Sequence, residues 1–164
     1  MYRLFFSKHN FKSNKQFSIV DEDEQVKYFV QSHHKFLKKK FTILKEDHHP
    51  LAEVNYKFRG LLYGLEVVAD GEVILNVKQK TSFKKKIYET DLTNLKIEGG
   101  LLGDHLQIQY QNDTVGSIRK VTNMSQNYYR LLIYDQRFEK MIIPLAVGLT
   151  SLDNDQIANL ILFT

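Results

Sequence analysis

Phe138-Glu-Lys-Met-Ile-Ile-Pro-Leu-Ala-Val-Gly-Leu-Thr-Ser-Leu152 is the stretch on which the reading of this chain turns. From Met141 to Leu149 it carries no charge and no side-chain amide, so it is apolar around its whole circumference and not along one stripe. A helix of that kind has to be surrounded. It is shorter than the roughly 20 apolar residues that cross a bilayer. The longer run from Met141 to Phe163 is interrupted by Ser151-Leu-Asp-Asn-Asp-Gln156, which would place two carboxylates and two amides in hydrocarbon. The surround must then come from the rest of the chain, and the rest of the chain offers strands.

Working outward from the helix, an aromatic or aliphatic residue opens a short β-like run roughly every 19 to 24 residues, the kind of internal period that marks a repeated hairpin. These runs begin at Phe17, Phe41, Leu65, Ile87, Leu106 and Tyr129. Most are followed by a polar turn and a second alternating run: Val26-Tyr28-Val30, Val54-Tyr56-Phe58, Val73-Leu75-Val77, Leu95-Ile97, and Val115-Ser117 leading to Ile118. Period-two alternation between Asp, Gly and Asn clusters is the signature of half-buried antiparallel strands. Asp70-Gly71 is the strongest hairpin signal, with Asn112-Asp113 and Asp91-Leu-Thr-Asn94 as weaker ones. With an opening strand near Tyr2 to Lys8, about twelve strands are expected. Of the two prolines, Pro50 falls at a strand entry and Pro144 inside the helix, so no central strand is interrupted.

An open sheet of that size would leave two edges and an uncovered face; closure removes the edges. A barrel of about eight strands fills itself with side chains, whereas a wider one needs a filler, and a helix about 10–12 Å across is a suitable one. The predicted fold is therefore mainly β: a closed antiparallel barrel of about twelve strands around a central C-terminal hydrophobic helix. All 164 residues form one domain, with strands over about 2–134, the central helix over about 138–152 and a short helical or extended tail over 153–164. Pro144 should bend the helix and Gly148 weaken it.

Composition narrows the function. The chain has neither cysteine nor tryptophan, which removes disulfides, thiolate nucleophiles and sulfur-ligated metals and suits a reducing compartment. The residues from Met1 to His9 lack the apolar run and cleavage site of a signal peptide, so a cytoplasmic protein, peripheral at the membrane, is expected. The net charge of +4 permits anionic partners. Alternating hairpins would send turns within each repeat to one barrel mouth and turns between repeats to the other. The first set is acidic: Asp21-Glu-Asp-Glu24, Glu46-Asp47, Asp70 with Glu72, Asp91 and Asp113. The second set is largely basic, and from it Lys38, Lys39, Lys40, Lys57, Arg59, Lys84, Lys85 and Lys86 are the candidate lipid- or anion-binding residues. Lysines that only keep exposed strand ends soluble are the competing account. Under that account the partner would be a protein.

Other chemistry finds little footing. His33-His34 and His48-His49 resemble metal ligands, but strand neighbours point to opposite faces, so each pair offers one ligand to a given ion. No metal or other cofactor is expected. His105 beside Asp104 is a weak acid/base pairing. Gly60-Leu-Leu-Tyr-Gly64 and Gly99-Gly-Leu-Leu-Gly103 read as strand-connecting bends, since neither precedes a helix that could hold phosphate. Spacing nominates no Ser-His-Asp set, so a non-enzymatic protein is expected. Nucleic acid is not expected either, because alternation buries most aromatics.

One stretch adds a resemblance. Ile97-Glu-Gly-Gly-Leu-Leu-Gly-Asp-His-Leu-Gln-Ile108 resembles the "I-E-G-D-(two apolar)-G-(two polar)-Y-E-I" segment of the LURP-one-related proteins. Val77-Lys-Gln-Lys-Thr-Ser-Phe-Lys-Lys-Lys-Ile87 and the apolar helix ending in Leu149-Thr-Ser-Leu-Asp153 follow that family's order around it. Glu139 alone stands where an acidic pair commonly opens the helix. The resemblance implies the tubby-like barrel shared with tubby C-terminal domains and phospholipid scramblases. Of function it implies phosphoinositide or other phospholipid binding; the chain is most similar to bacterial members, which have no assigned activity.

Overall fold

The computed structural model describes residues 1–7, 16–35, 38–59, 62–82, 85–99, 105–123 and 126–162. The strands are β1 (Tyr2–Ser7), β2 (Gln16–Val20), β3 (Val26–Lys35), β4 (Lys38–Lys45), β5 (Pro50–Arg59) and β6 (Leu62–Ala69). They continue with β7 (Glu72–Ser82), β8 (Lys85–Thr90), β9 (Leu95–Gly99), β10 (His105–Tyr110), β11 (Asp113–Asn123) and β12 (Gln126–Ile133). A 3-10 turn at Gln136–Phe138 leads into helix α1 (Glu139–Leu162). The six runs that begin at Phe17, Phe41, Leu65, Ile87, Leu106 and Tyr129 fall in the even-numbered strands, and their partners in the odd ones.

The twelve strands form one antiparallel sheet in the order β8-β7-β6-β5-β4-β3-β2-β1-β12-β11-β10-β9. Chain neighbours are sheet neighbours nearly throughout, and the first strand pairs with the last from Tyr2–Ile133 to Ser7–Tyr128. That pairing curls the sheet into a nearly closed barrel. Its seam lies between β8 and β9, which run side by side without ladder bonds. The segment Asp91-Leu-Thr-Asn94 is therefore not the hairpin turn its composition suggests. A side chain spans the seam instead: Thr90 Oγ1 donates to the carbonyls of Leu95 at 2.9 Å and Leu92 at 3.1 Å. A second weak place separates β1 from β2, which among the described residues register at Phe5–Val20.

Turn chemistry explains most of the register. Asp70 (φ 53°) and Gly71 (φ 77°) both take positive φ, the two-residue hairpin geometry that matches strand twist. In the β10–β11 hairpin the positive-φ residues are Gln111 and Asn112, one position before the expected Asn112-Asp113. Asp113 pairs across to Tyr110 and starts β11. A register shift between Ile108 and Gln109 then absorbs one extra residue on β11.

Alternation sends Leu4, Ile19, Val30, Ile43, Val54, Val67, Leu75, Ile108 and Leu131 inward with no exposed surface. They meet α1, in which Ile142, Ile143, Leu145, Ala146 and Val147 are likewise fully buried, so the helix is covered on all sides. Pro144 lies within it and removes one backbone donor. Helical backbone continues beyond Leu152 to Leu162, so that much of the expected tail prolongs the same helix. The side chains after Ser151 lie outside the described residues. Among the described residues no helix is long and apolar enough to cross a membrane.

Candidate functional site

The antiparallel order gives the barrel two chemically different ends. Helix α1 enters at the end that carries Asp21 to Gln25, Glu46 to His49, Asp70-Gly71, Asp91 to Asn94 and Gln111-Asn112. The connections 8–15, 36–37, 60–61, 83–84, 100–104 and 124–125 join strands at the opposite end. The carboxylates of the entry end are firmly held. Hydrogen bonds keep Asp21, Asp47 and Asp135 below the ordinary value of 3.8: from the Gln25 N–H, the His49 N–H and the Arg137 guanidinium respectively. Ion pairs Arg3–Glu22 and Lys140–Asp70, both at 2.7 Å, lace this rim.

Glu139 marks the point where the helix passes inside. Buried Tyr28 on β3 donates its hydroxyl to the Glu139 carboxylate. Burial pushes the Glu139 carboxyl above its ordinary 4.5, with Lys140 opposing. A carboxyl that holds its proton more tightly when folded costs stability as pH rises through 4.5 and its folded value, after which the cost is constant. Glu139→Gln, which keeps an acceptor for Tyr28, is therefore expected to flatten that part of the stability–pH curve. Chemical denaturation between pH 4 and 7 measures this, and a variant that parallels the parent throughout refutes it.

At the opposite end the lysine run is divided by strand alternation. Lys38 is exposed, whereas Lys39 shares the inward face with Phe41. Lys39 Nζ donates to Ser151 Oγ on the helix at 2.8 Å and lies 5.4 and 5.2 Å from the ring centres of Phe41 and Tyr56. Ser151 is fully buried, so this bond pins the helix to β4. Tyr56 makes a second link, donating to the Gly148 carbonyl at 2.8 Å. Lys40 faces outward and pairs with Glu53 at 3.3 Å. Lys57 pairs in the same way with Glu66, and Lys80 with Glu89 at 2.8 Å. In each case the carboxylate lies two residues along the neighbouring strand from the lysine's register partner, a repeated diagonal on the outer wall. Lys84 lies outside the described residues, as do the side chains of Arg59, Lys85 and Lys86, although β5 and β8 carry their backbones to this same end.

The structure therefore gathers the candidate cations at one end but splits their roles. Lys38 is free of ion pairs among the described residues, Lys39 is an interior fastening, and Lys40 and Lys57 are partly neutralised. His33 and His34 sit exposed on β3. His48 stacks on Phe29 with ring centres 4.7 Å apart, and His49 Nδ1 lies 3.0 Å from Asp47. Asp104 and most of the two Gly-Leu-Leu segments lie outside the described residues. His105 instead has cations beside it: burial first, then Arg119 and Arg130, hold its pKa below 6.5.

Sequence reasoning missed the polar links between helix and wall, Tyr28–Glu139, Tyr56–Gly148 and Lys39–Ser151, since each spans some 90 residues or more. It also missed Gln79, which is buried on β7 with neither amide atom hydrogen-bonded among the described residues. A surface groove of about 430 Å³ opens where β1 and β2 part, lined by Phe5, Val20, Asp21, Glu22, Glu24 and Tyr128.

Comparison with known proteins agrees with this architecture. A family model described as LURP-one-related matches residues 2–149. The fold is similar to the X-ray structure of a protein from Arabidopsis thaliana, at 11% identity and a TM-score of 0.53 over 90% of this chain and 91% of that one. No curated protein matches the chain in sequence.

Proposed function

The chain belongs to the LURP-one-related family, and from that premise we propose that it is a non-enzymatic binding module that docks anionic membrane lipid through the basic mouth of its barrel. The observation that supports this is the division of charge between the two ends, because the same strand order that collects the acidic turns around the helix entry collects the basic connections opposite. Each Lys or Arg held near an anionic leaflet contributes about 1 kcal/mol, and salt reduces it. A cytoplasmic protein, peripheral at the membrane, follows from this reading. Lys39 is excluded as a headgroup ligand because its ammonium is engaged with Ser151. The docking cations in this reading are then Lys38, Arg59, Lys84, Lys85 and Lys86.

Co-sedimentation with phosphatidylglycerol-containing and purely phosphatidylcholine vesicles tests this, at low and moderate salt. The comparison is with a variant in which Lys38, Lys84, Lys85 and Lys86 become Gln while Lys39 and Lys40 are kept. Binding to the anionic vesicles alone, weakened by salt and by the substitutions, is expected. If the folded parent binds neither vesicle, the proposal fails. The repeated Lys–Glu diagonals on the outer wall favour a second reading, in which lysines serve solubility and the barrel is a structural or protein-interaction module. A stoichiometric protein partner together with absent vesicle binding would select it.

A further inference from the structure

On the outer wall, away from both mouths, Arg119 of β11 and Arg130 of β12 stand directly opposite each other in the antiparallel register. His105 of β10 is directly opposite Arg119 on the other side, and Phe5 of β1 is directly opposite Arg130. Directly opposed residues have Cβ atoms about 4.5–5.5 Å apart, and like charges so placed destabilise the sheet. Elsewhere on the wall Lys40, Lys57 and Lys80 each have a carboxylate on the diagonal. Among the described residues the arginine pair has none. The carboxylates of the neighbouring β2–β3 turn, Asp21 and Glu22, pair with Lys27 and Arg3 instead. Arg130 is half-buried, and its Nε–H is shielded from solvent without a hydrogen-bond partner among the described residues, a state that an arginine nitrogen rarely keeps.

We propose that Arg119 and Arg130, with His105 beside them, bind the phosphate group of a small soluble phosphomonoester on the outer face of β10–β12. The two arginines offer two forks of donors and two positive charges from adjacent positions on one face. A phosphate dianion matches both, since its several oxygens accept paired N–H bonds and its charge balances the pair. A carboxylate would leave one charge uncompensated. A nucleic-acid strand would want unpaired cations repeated along a track, and the next arginine on this face, Arg3 of β1, is paired with Glu22. Phe5 and Tyr128, edge to face with ring centres 6.0 Å apart, offer two ring faces to the organic part of the ester, in a groove that Asp21, Glu22 and Glu24 also line. The arginine pair lies back from the 124–125 connection, Arg119 being five residues from it, about 16 Å along the strand, while His105 opens β10 next to the 100–104 connection.

The test is titration of the whole protein with inorganic phosphate at constant ionic strength, with chloride as control, observing the arginine Nε–H signals by NMR. A saturable shift of the Arg130 Nε–H signal with phosphate but not chloride is expected. Arg119→Gln should weaken binding roughly tenfold or more while leaving the protein folded, because it relieves a like-charge contact. Lys80→Gln, on β7 and already paired with Glu89, should change nothing. Equal responses to chloride and phosphate, or full phosphate affinity in Arg119→Gln, would overturn the proposal. So would dependence on these arginines seen only with phosphatidate vesicles and not with free phosphate, which would assign the pair to a membrane surface.

Discussion

Leu145→Ala is expected to destabilise the protein by about 2–5 kcal/mol, lowering the Tm by roughly 5–20 °C for a chain of this size. Leu145 has no exposed surface and lies at the centre of the apolar segment of α1, one residue past Pro144. The cost of such a truncation depends on how far the surroundings collapse into the space left. Here the surroundings are strands tied to their neighbours by ladder bonds on both flanks, apart from the β8–β9 seam and the weak β1–β2 pairing. They cannot close in independently, which places the effect in the upper part of the range. A chemical denaturation curve that shifts by less than 1 kcal/mol would mean that the helix is not the core of this barrel.

Gly148→Val should cost a comparable amount for the opposite reason. A Cβ at position 148 would stand 2.9 Å from Val54 Cγ2 and 3.0 Å from Leu65 Cδ1, on β5 and β6. Both side chains are buried, at 0% and 2% exposure, so neither can swing out to solvent. Replacing glycine inside a helix gains up to about 1 kcal/mol of propensity, less for a β-branched residue. Overpacking a filled core costs about 1–3 kcal/mol, and pushing the helix from β5 would also stretch the Tyr56–Gly148 bond, worth about 1 kcal/mol. The clash outweighs the propensity. Gly148→Ala brings the same Cβ to 2.9 Å from Val54 Cγ2 and should also destabilise, but less than Val because it adds no γ-methyls. Leu65→Ala should rescue Gly148→Val in part, giving the non-additivity of side chains that share one space. If the two substitutions simply add, the helix does not lean on β6 as described.

The period-two runs and the turn residues made all twelve strands legible, along with their order, because successive hairpins leave few other ways to connect them. Where the reading slipped, the cause is identifiable. Asp91 to Asn94 has turn composition, yet whether the strands it joins will pair depends on where the barrel's circumference runs out, a property of the whole sheet. Asn112-Asp113 was displaced by one residue because Gln111 accepts positive φ and the bulge beyond it restores the phase. The charged ends were readable as composition, but alternation decided which lysine of Lys38 to Lys40 points to solvent. Run length alone does not show that Lys39 faces the helix.

By itself the sequence determined that an all-round apolar helix had to be enclosed, that the enclosing elements are antiparallel strands, and that acidic and basic turns go to opposite ends. These follow from periodicity and connectivity, which are local. Tertiary structure alone decided the seam at β8–β9, the links Tyr28–Glu139, Tyr56–Gly148 and Lys39–Ser151, and the opposition of Arg119 and Arg130. Each of these rests on a register, and register accumulates every bulge and turn between the two residues. One residue of slip sends a side chain to the other face, so these contacts exist only once the barrel has closed around its helix.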